Sequence, residues 1–401
     1  QYLMTSGGIL ATLSVEEATT YYHLFVSTTY FLPIVGAIVA DAYWGKYRTV
    51  MLLSLVYCAG HLALFLDDTK VGLFIGLMLI AIGSGGIKPS VASNVGDQFG
   101  QSNAYLLPRA FSWYYLGINI GSSTSSLMIP WLLAWQGPAV AFGVPGLFMV
   151  LATVTFWAGR HRFVHVPPAG RSYLRDIFGP EGQRVVRRLL IIYILVAAFW
   201  SLFDQMGSTW VLQAMNMDRV VLGYELLPAQ IQAVNPFLII VLIPIFSYWV
   251  YPFLERFFSV TSPRRMSIGM FLAATPFLVT AWIEAQIQMG FSPHIGWQLL
   301  AYLLITIAEV LLVVTCMEFS YTQAPKRMKS LVMALFYLSI SAGNLFTALV
   351  NQFIQNTDGT SKLTGPSYHL FFAAFMGCAA LLFAVYMRFY REEHIIQEES
   401  D

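Results

Sequence analysis

The residues able to do chemistry in this chain are the few polar and ionisable ones inside its long apolar runs: His23, Tyr30, Lys88, Asn119, Asp204, Asn235, Glu309 and Glu318. A charged side chain at the centre of a bilayer costs about 2.5–3.5 kcal/mol on insertion scales, so each should face a protein interior or a water-filled cavity. Glu309 is the sharpest case. It opens the stretch EVLLVVTCMEFSYTQAPKRMKSLVMALFYLSISAGN, which leaves the apolar phase at EFSYTQAP and crosses a basic turn (Lys326, Arg327, Lys329). The stretch then re-enters as a second apolar helix. We expect Glu309 to line a transport pathway.

The remaining candidates carry competing readings. Lys88 sits in GSGGIKPSVASNVGDQF. It either snorkels to the cytoplasmic surface or lines a cavity at a bend made by Gly83, Gly85, Gly86 and Pro89. Asn119 makes either an interhelical packing bond or a ligand contact. Asn235 precedes Pro236 and has backbone groups freed by that proline as alternative partners. Asp204 requires a partner or a neutral form, because desolvation disfavours the charged carboxylate. Glu318, near the cytoplasmic end of its span, reads as structural or gating, and His23 as a cap or a proton relay. Taken together, Lys88 and Glu309 offer the cation and the carboxylate that the two ends of a zwitterion need. Asn119, Asn235 and Tyr30 suit a peptide backbone between those ends, and Trp200 suits varied side chains. The carboxylates are candidate proton carriers.

These residues must be positioned by membrane-spanning helices. The chain has 401 residues, 57% hydrophobic and 11% charged, with mean hydropathy +0.64, about half the charged share of a soluble domain. Apolar runs of about 20 residues, the length that crosses a bilayer core, recur at 20–40, 48–66, 71–93, 109–129, 138–158, 188–212, 230–252, 266–284, 296–318, 330–351 and 367–388. Residues 1–13 begin without Met and are too short to span, and are expected to be the remainder of a first, twelfth-completing helix. The fold class expected is an all-α polytopic membrane protein. Eighteen of the 22 Lys and Arg fall in one alternate set of connections, against Lys70, Arg219 and Lys362 in the other. The first set is therefore cytoplasmic, and so are both termini. The basic connection with Pro167 and Pro168 divides the chain into bundles at 1–159 and 188–390, joined by a linker at 160–187 and followed by a tail at 391–401. A faint echo of Phe31-Leu32-Pro33-Ile34-Val35 in Leu242-Ile243-Pro244-Ile245-Phe246 fits two parallel halves. Cys58, Cys316 and Cys378 lie in apolar runs without metal-ligand spacing, and the net charge of +1 suggests no nucleic-acid partner.

Several stretches resemble the proton-coupled oligopeptide transporter family of the major facilitator superfamily. GAIVADAYWGKYRTV (36–50) resembles the loop after its second helix. GSGGIKPSVASNVGDQF resembles its fourth helix, FSWYYLGINIGSS its fifth, FWSLFDQMGSTW its seventh, and EFSYTQAPKRMKS the end of its tenth. The order is right and the resemblance covers nearly the whole chain. It implies two six-helix bundles importing di- and tripeptides with protons by alternating access. Tyr30, Lys88, Asn119, Trp200, Asn235 and Glu309 would bind substrate. His23, Lys88, Asp204 and Glu309 would couple protons, and Asp41, Lys46 and Glu318 would have gating or structural roles. No cofactor is implied beyond the coupling proton.

The family's first-helix ExxER motif would lie before Gln1, and Phe336 stands where many members have tryptophan. Residues 285–295 leave no room for the extracellular domain of animal members, and 160–187 none for the two extra helices of many bacterial ones. A bacterial inner membrane is the expected location. A same-fold carrier of nitrate, histidine or another amino acid, or a sensor that binds without transport, is the alternative. An intramembrane enzyme is not expected, since neither HExxH nor G-x-S-x-G occurs in a span.

Overall fold

The computed structural model describes residues 29–390 except 68, 171, 172, 227, 258 and 355–361. Among them, the helices are α1 (Thr29–Trp44), α2 (Lys46–Leu66), α3 (Lys70–Asp97), α4 (Leu107–Gln136), α5 (Pro138–Ala158), the short α6 (Tyr173–Phe178), α7 (Pro180–Phe203) and α8 (Thr209–Met215). They continue as α9 (Ile231–Leu254), α10 (Ser262–Gln288), α11 (Gly296–Gln323), α12 (Lys329–Ile354) and α13 (Pro366–Phe389). Among the described residues, nine spans are long and apolar enough to cross a membrane, with α7 and α8 forming one of them. The chain is a multi-pass membrane protein. α1, described from Thr29 only, is a shorter apolar helix at the place of the first expected span, and α4 lies at the place of the fourth. α4 is long enough to cross but carries GINIGSSTSS in its middle, where lipid contact alone would favour apolar residues.

In the first half α2 packs on α3 and α5. In the second, α10 packs on α11 and α13, and α7 on α12. The halves meet where α4 lies on α9 and α3 on α12. This is the major-facilitator arrangement of two bundles. One boundary differs from expectation. Pro180, with φ preset for a first helical position, starts α7 inside the linker, so 180–187 form a helical extension of the span rather than free chain.

The glycine run in α3 also does something other than expected. α3 runs unbroken for 28 residues through Pro89. The glycines remove side chains where neighbouring helices come closest. A Cβ on Gly36 of α1 would collide with the backbone of Gly86, one on Gly83 would lie 2.9 Å from the Leu53 carbonyl, and one on Gly86 would strike Leu53. Close backbone approach of this kind is how membrane helices gain packing without a hydrophobic drive. It locks α1, α2 and α3 into one unit beneath Tyr30 and Lys88.

Because the opposing atoms at Gly36 are backbone, they cannot move aside. Gly36→Ala should therefore destabilise the fold by about 1–3 kcal/mol, read as a lowered melting temperature of the purified protein. An unchanged melting temperature would show that α1 and α3 are not in contact there.

Candidate functional site

Glu309 immediately precedes a π-helical bulge in α11, Val310–Val314, a distortion that shifts the phase of the helix and is common at functional sites. Its carboxylate is 2% exposed and is satisfied from both halves of the molecule. The Tyr115 hydroxyl of α4 donates to Oε1 at 2.5 Å, and the Asn235 amide of α9 donates to Oε2 at 2.7 Å and to Thr306 Oγ1 at 3.0 Å. Asn235 thus serves the carboxylate rather than backbone groups freed by Pro236. Close by, the Tyr114 and Tyr337 hydroxyls pair across the halves.

Asp204 sits at the end of α7, where a 3₁₀ turn (Asp204–Gly207) breaks the span. It accepts a 2.5 Å bond from Asn344 of α12 and lies within electrostatic reach of Glu309. Trp200, one turn earlier, packs edge-on against Phe199 and Phe203 at 5.3 and 5.4 Å. Its buried indole N–H has no acceptor among the described residues. Lys88 is half-buried with its ammonium 5.8 Å from the centre of the Tyr30 ring, a cation–π distance. Among the described residues no ion pair joins Lys88 to Glu309; each has other neighbours. Asn119 bonds back to the Tyr115 carbonyl of its own helix at 3.0 Å and also meets the Tyr115 hydroxyl. It thereby steadies the turn that aims Tyr115 at Glu309. Glu318 pairs with Arg265 of α10 at 3.2 Å within the second half. His23 lies outside the described residues.

A second cluster fastens the linker-side ends of the halves together. Lys46, opening α2, forms a buried ion pair with Asp97, the last residue of α3. The other Asp97 oxygen accepts from the Tyr321 hydroxyl of α11 at 2.9 Å. Gly96 leaves the space the Tyr321 ring fills, since a Cβ there would overlap it. Lys329 lies over that ring at 4.0 Å and donates to the Tyr321 carbonyl at 2.6 Å. Ser93 bonds Ser330 at 2.9 Å. Asp41, in a π-helical turn closing α1, accepts from the Leu331 N–H at 3.0 Å, in the first turn of α12, where a carboxylate also meets the positive end of the helix dipole. The linker joins in. Ala169 N–H donates to the Asp41 carbonyl at 2.8 Å, and the Tyr173 hydroxyl lies 3.5 Å from the Asp41 side chain. Burial and the Asp41 charge push the Tyr173 phenol well above its ordinary range, so it stays a donor.

Asp41 and Lys46 were readable in advance, but Tyr115, Asp97, Tyr321 and Ser330 were not. All four lie inside stretches that stood out as motifs. A tyrosine in an apolar run gives no sign of which side of its helix it faces.

The two bundles define the major-facilitator fold class. The family model for PTR2, the POT family, matches residues 47–179 and 179–370, and its two parts meet one residue before α7. The chain is 34% identical over 322 residues to peptide transporter family 1 of Drosophila melanogaster, covering 69% of this chain and 43% of that protein. It is 36% identical over 325 residues to human solute carrier family 15 member 2, covering 68% and 44%. The chain spans less than half the length of these curated relatives. Among solved structures, an auto-inhibited POT family peptide transporter matches with TM-score 0.73 at 35% identity over 100% of this chain and 94% of that one. The POT family transporter PepTSo matches with TM-score 0.74 at 35% identity over 96% and 92%. The protein belongs to the POT family.

Asp41→Ala would leave the Leu331 N–H without its acceptor and release the linker contact. We expect the population closed at the linker side to lose about 1–3 kcal/mol. Spin labels across the C-terminal end of α3 and the N-terminal end of α12 would read this as a longer mean distance. Identical distance distributions in variant and parent would show that the contact does not hold the ends together.

Proposed function

We propose that the protein is a symporter that moves di- and tripeptides with protons by alternating access. The observation that carries the reading is the buried Glu309 carboxylate, held by one donor from each bundle. A carboxylate in that position accepts both bonds. Once it takes a proton, one oxygen becomes a donor and the Tyr115–Glu309–Asn235 bridge weakens, so protonation and the association of the bundles are linked. In its ionised form Glu309 offers a carboxylate to the ammonium end of a peptide, and Lys88 receives the carboxylate end. Tyr30, Asn119 and Asn235 serve the peptide backbone. Trp200, whose N–H lacks an acceptor among the described residues, serves a carbonyl or side chain. Asp204 and Glu309 carry the proton, with His23 and Lys88 completing the relay. Asp41 and Lys46 act in the cytoplasmic gate, while Glu318 braces α11 against α10. The peptide-transporter names of the family relatives support the substrate class.

The bundles correspond to 1–159 and 188–390, with the linker and both termini cytoplasmic, as the eighteen basic residues on that side favour. The short connection from Gln288 to Gly296 supports a bacterial inner membrane over an animal one.

The test is uptake of labelled dialanine into proteoliposomes under an inward proton gradient. Concentrative uptake that collapses with a protonophore and is blocked by di- and tripeptides is expected. Accumulation of nitrate or a free amino acid instead would move the function to another solute on the same fold, and binding without any uptake would make the protein a sensor. Within that assay, Lys88→Ala should lower gradient-driven uptake about 10- to 100-fold, the range of a lost charge-assisted bond. Full uptake would remove Lys88 from the pathway. Glu309→Gln should abolish the response to the proton gradient while leaving peptide exchange at equal pH measurable, and a retained gradient response would pass the coupling role to Asp204.

A further inference from the structure

A cavity of about 360 Å³ lies at the end of the second bundle away from the linker, between α8, the last turns of α10 and the start of α13. Its polar walls have spent their donors and kept their acceptors. The Gln213 amide of α8 gives both protons away, to the Thr280 carbonyl at 2.9 Å and to Glu284 Oε2 at 3.0 Å. The Thr209 hydroxyl donates to Gln205 Oε1 at 3.0 Å, and the Tyr368 hydroxyl to Asn351 at 3.0 Å. His369 is 4% exposed, and its Nδ1 meets Thr280 Oγ1 at 3.0 Å. Thr280 gives its single hydroxyl proton to the Phe277 carbonyl at 3.2 Å, so the histidine is the donor in that contact. Its Nε2 is then a lone-pair acceptor on a ring that lines the cavity, with no partner among the described residues. Glu284 likewise keeps Oε1 for a ligand.

Among the described residues no cation pairs with Glu284. Lys362, which precedes the lining residue Leu363, donates instead to the Phe353 carbonyl at 2.9 Å and lies over the Phe353 ring. The stretch before it, QNTDGTS at 355–361, contains neither lysine nor arginine. At the start of α13 the Ser367 and Tyr368 N–H groups donate to the Thr364 and Gly365 carbonyls at 3.3 and 3.2 Å, so neither is left to serve an anion. We propose that this cavity binds the ammonium group of a small organic amine, whose N–H donors pair with Glu284 Oε1 and His369 Nε2. An alkylammonium brings the two things these walls lack, a positive charge and several donors on one atom. Leu212 and Leu363 of the same lining suit its hydrocarbon part, and the volume is in the range of small-molecule sites. The site shares no residue with the cluster around Glu309. It is therefore independent of which solute the protein carries.

The full chain is placed in nanodiscs of phosphatidylcholine, and its melting temperature is followed as n-butylammonium chloride replaces sodium chloride at constant pH and ionic strength. We expect saturable stabilisation. Tetramethylammonium carries the charge without N–H donors and should bind about tenfold or more weakly. Apparent affinity for butylammonium should also fall about tenfold or more in Glu284→Gln, which removes the charge but keeps an oxygen for Gln213. It should stay unchanged in Glu255→Gln, which removes an exposed carboxylate from the turn between α9 and α10. On the unmodified protein, butylammonium should slow hydrogen exchange in 209–216, 280–288 and 363–369. No saturable response, an equal response to tetramethylammonium, equal losses in the Glu255 variant, or stabilisation without protection of those segments would overturn the proposal. Stabilisation by zinc chloride but not by butylammonium would also overturn it, assigning Glu284 and His369 to a metal instead.

Discussion

Keeping one carboxylate at membrane depth is the constraint on which the rest of this molecule depends. Unpaired, Glu309 would leave a buried charge without partners, which is among the more costly arrangements in a protein interior. The fold meets it with donors drawn from α4 and α9, one from each bundle, so the group hardest to bury is also a joint between the halves. A joint made by a titratable acceptor is conditional in a way that an apolar contact is not. Its strength changes when a proton arrives, without any rearrangement of the core. The π-helical bulge after Glu309 and the back-bond from Asn119 to the Tyr115 carbonyl both serve to hold this geometry.

The linker-side cluster solves a different problem with different means. Its groups are small and numerous: a buried ion pair at Lys46 and Asp97, a tyrosine hydroxyl, two serines and a carboxylate on a helix N-terminus. Each contributes modestly, and together they give a contact that can be released in one motion, since the partners on either side are carried by rigid helices. The glycines of α3 supply that rigidity. By letting α1 and α2 lie directly against its backbone, they hold these three helices together as one packed unit. The linker, fixed to Asp41 at one end and continuous with α7 at the other, places a third element on the same latch.

Much of this was legible in the chain, and the reasons differ by level. Run length and the bias of basic residues gave the nine apolar spans found among the described residues and an expected orientation, because the bilayer imposes a length and the charge rule a direction. Intramembrane polarity singled out Glu309, Asp204, Asn235 and Lys88, because such residues are too costly to occur by accident. The glycine run was conspicuous but its meaning was not. A bend and a close approach use the same residues, and only the neighbouring helix distinguishes them.

What the sequence determined by itself is therefore the inventory: which helices, which buried charges, and which family. Pairing was left to the tertiary structure. Lys88 and Glu309 look like natural partners on paper, yet Glu309 is taken by Tyr115 and Asn235 while Lys88 lies near the Tyr30 ring. Asp97 and Tyr321 are 224 residues apart and meet at 2.9 Å. The physical reason is that a helix fixes the direction of its side chains only relative to its own axis. Which group a side chain finds depends on the rotation and docking of helices from distant parts of the chain, and the linear order of residues carries no local record of that choice.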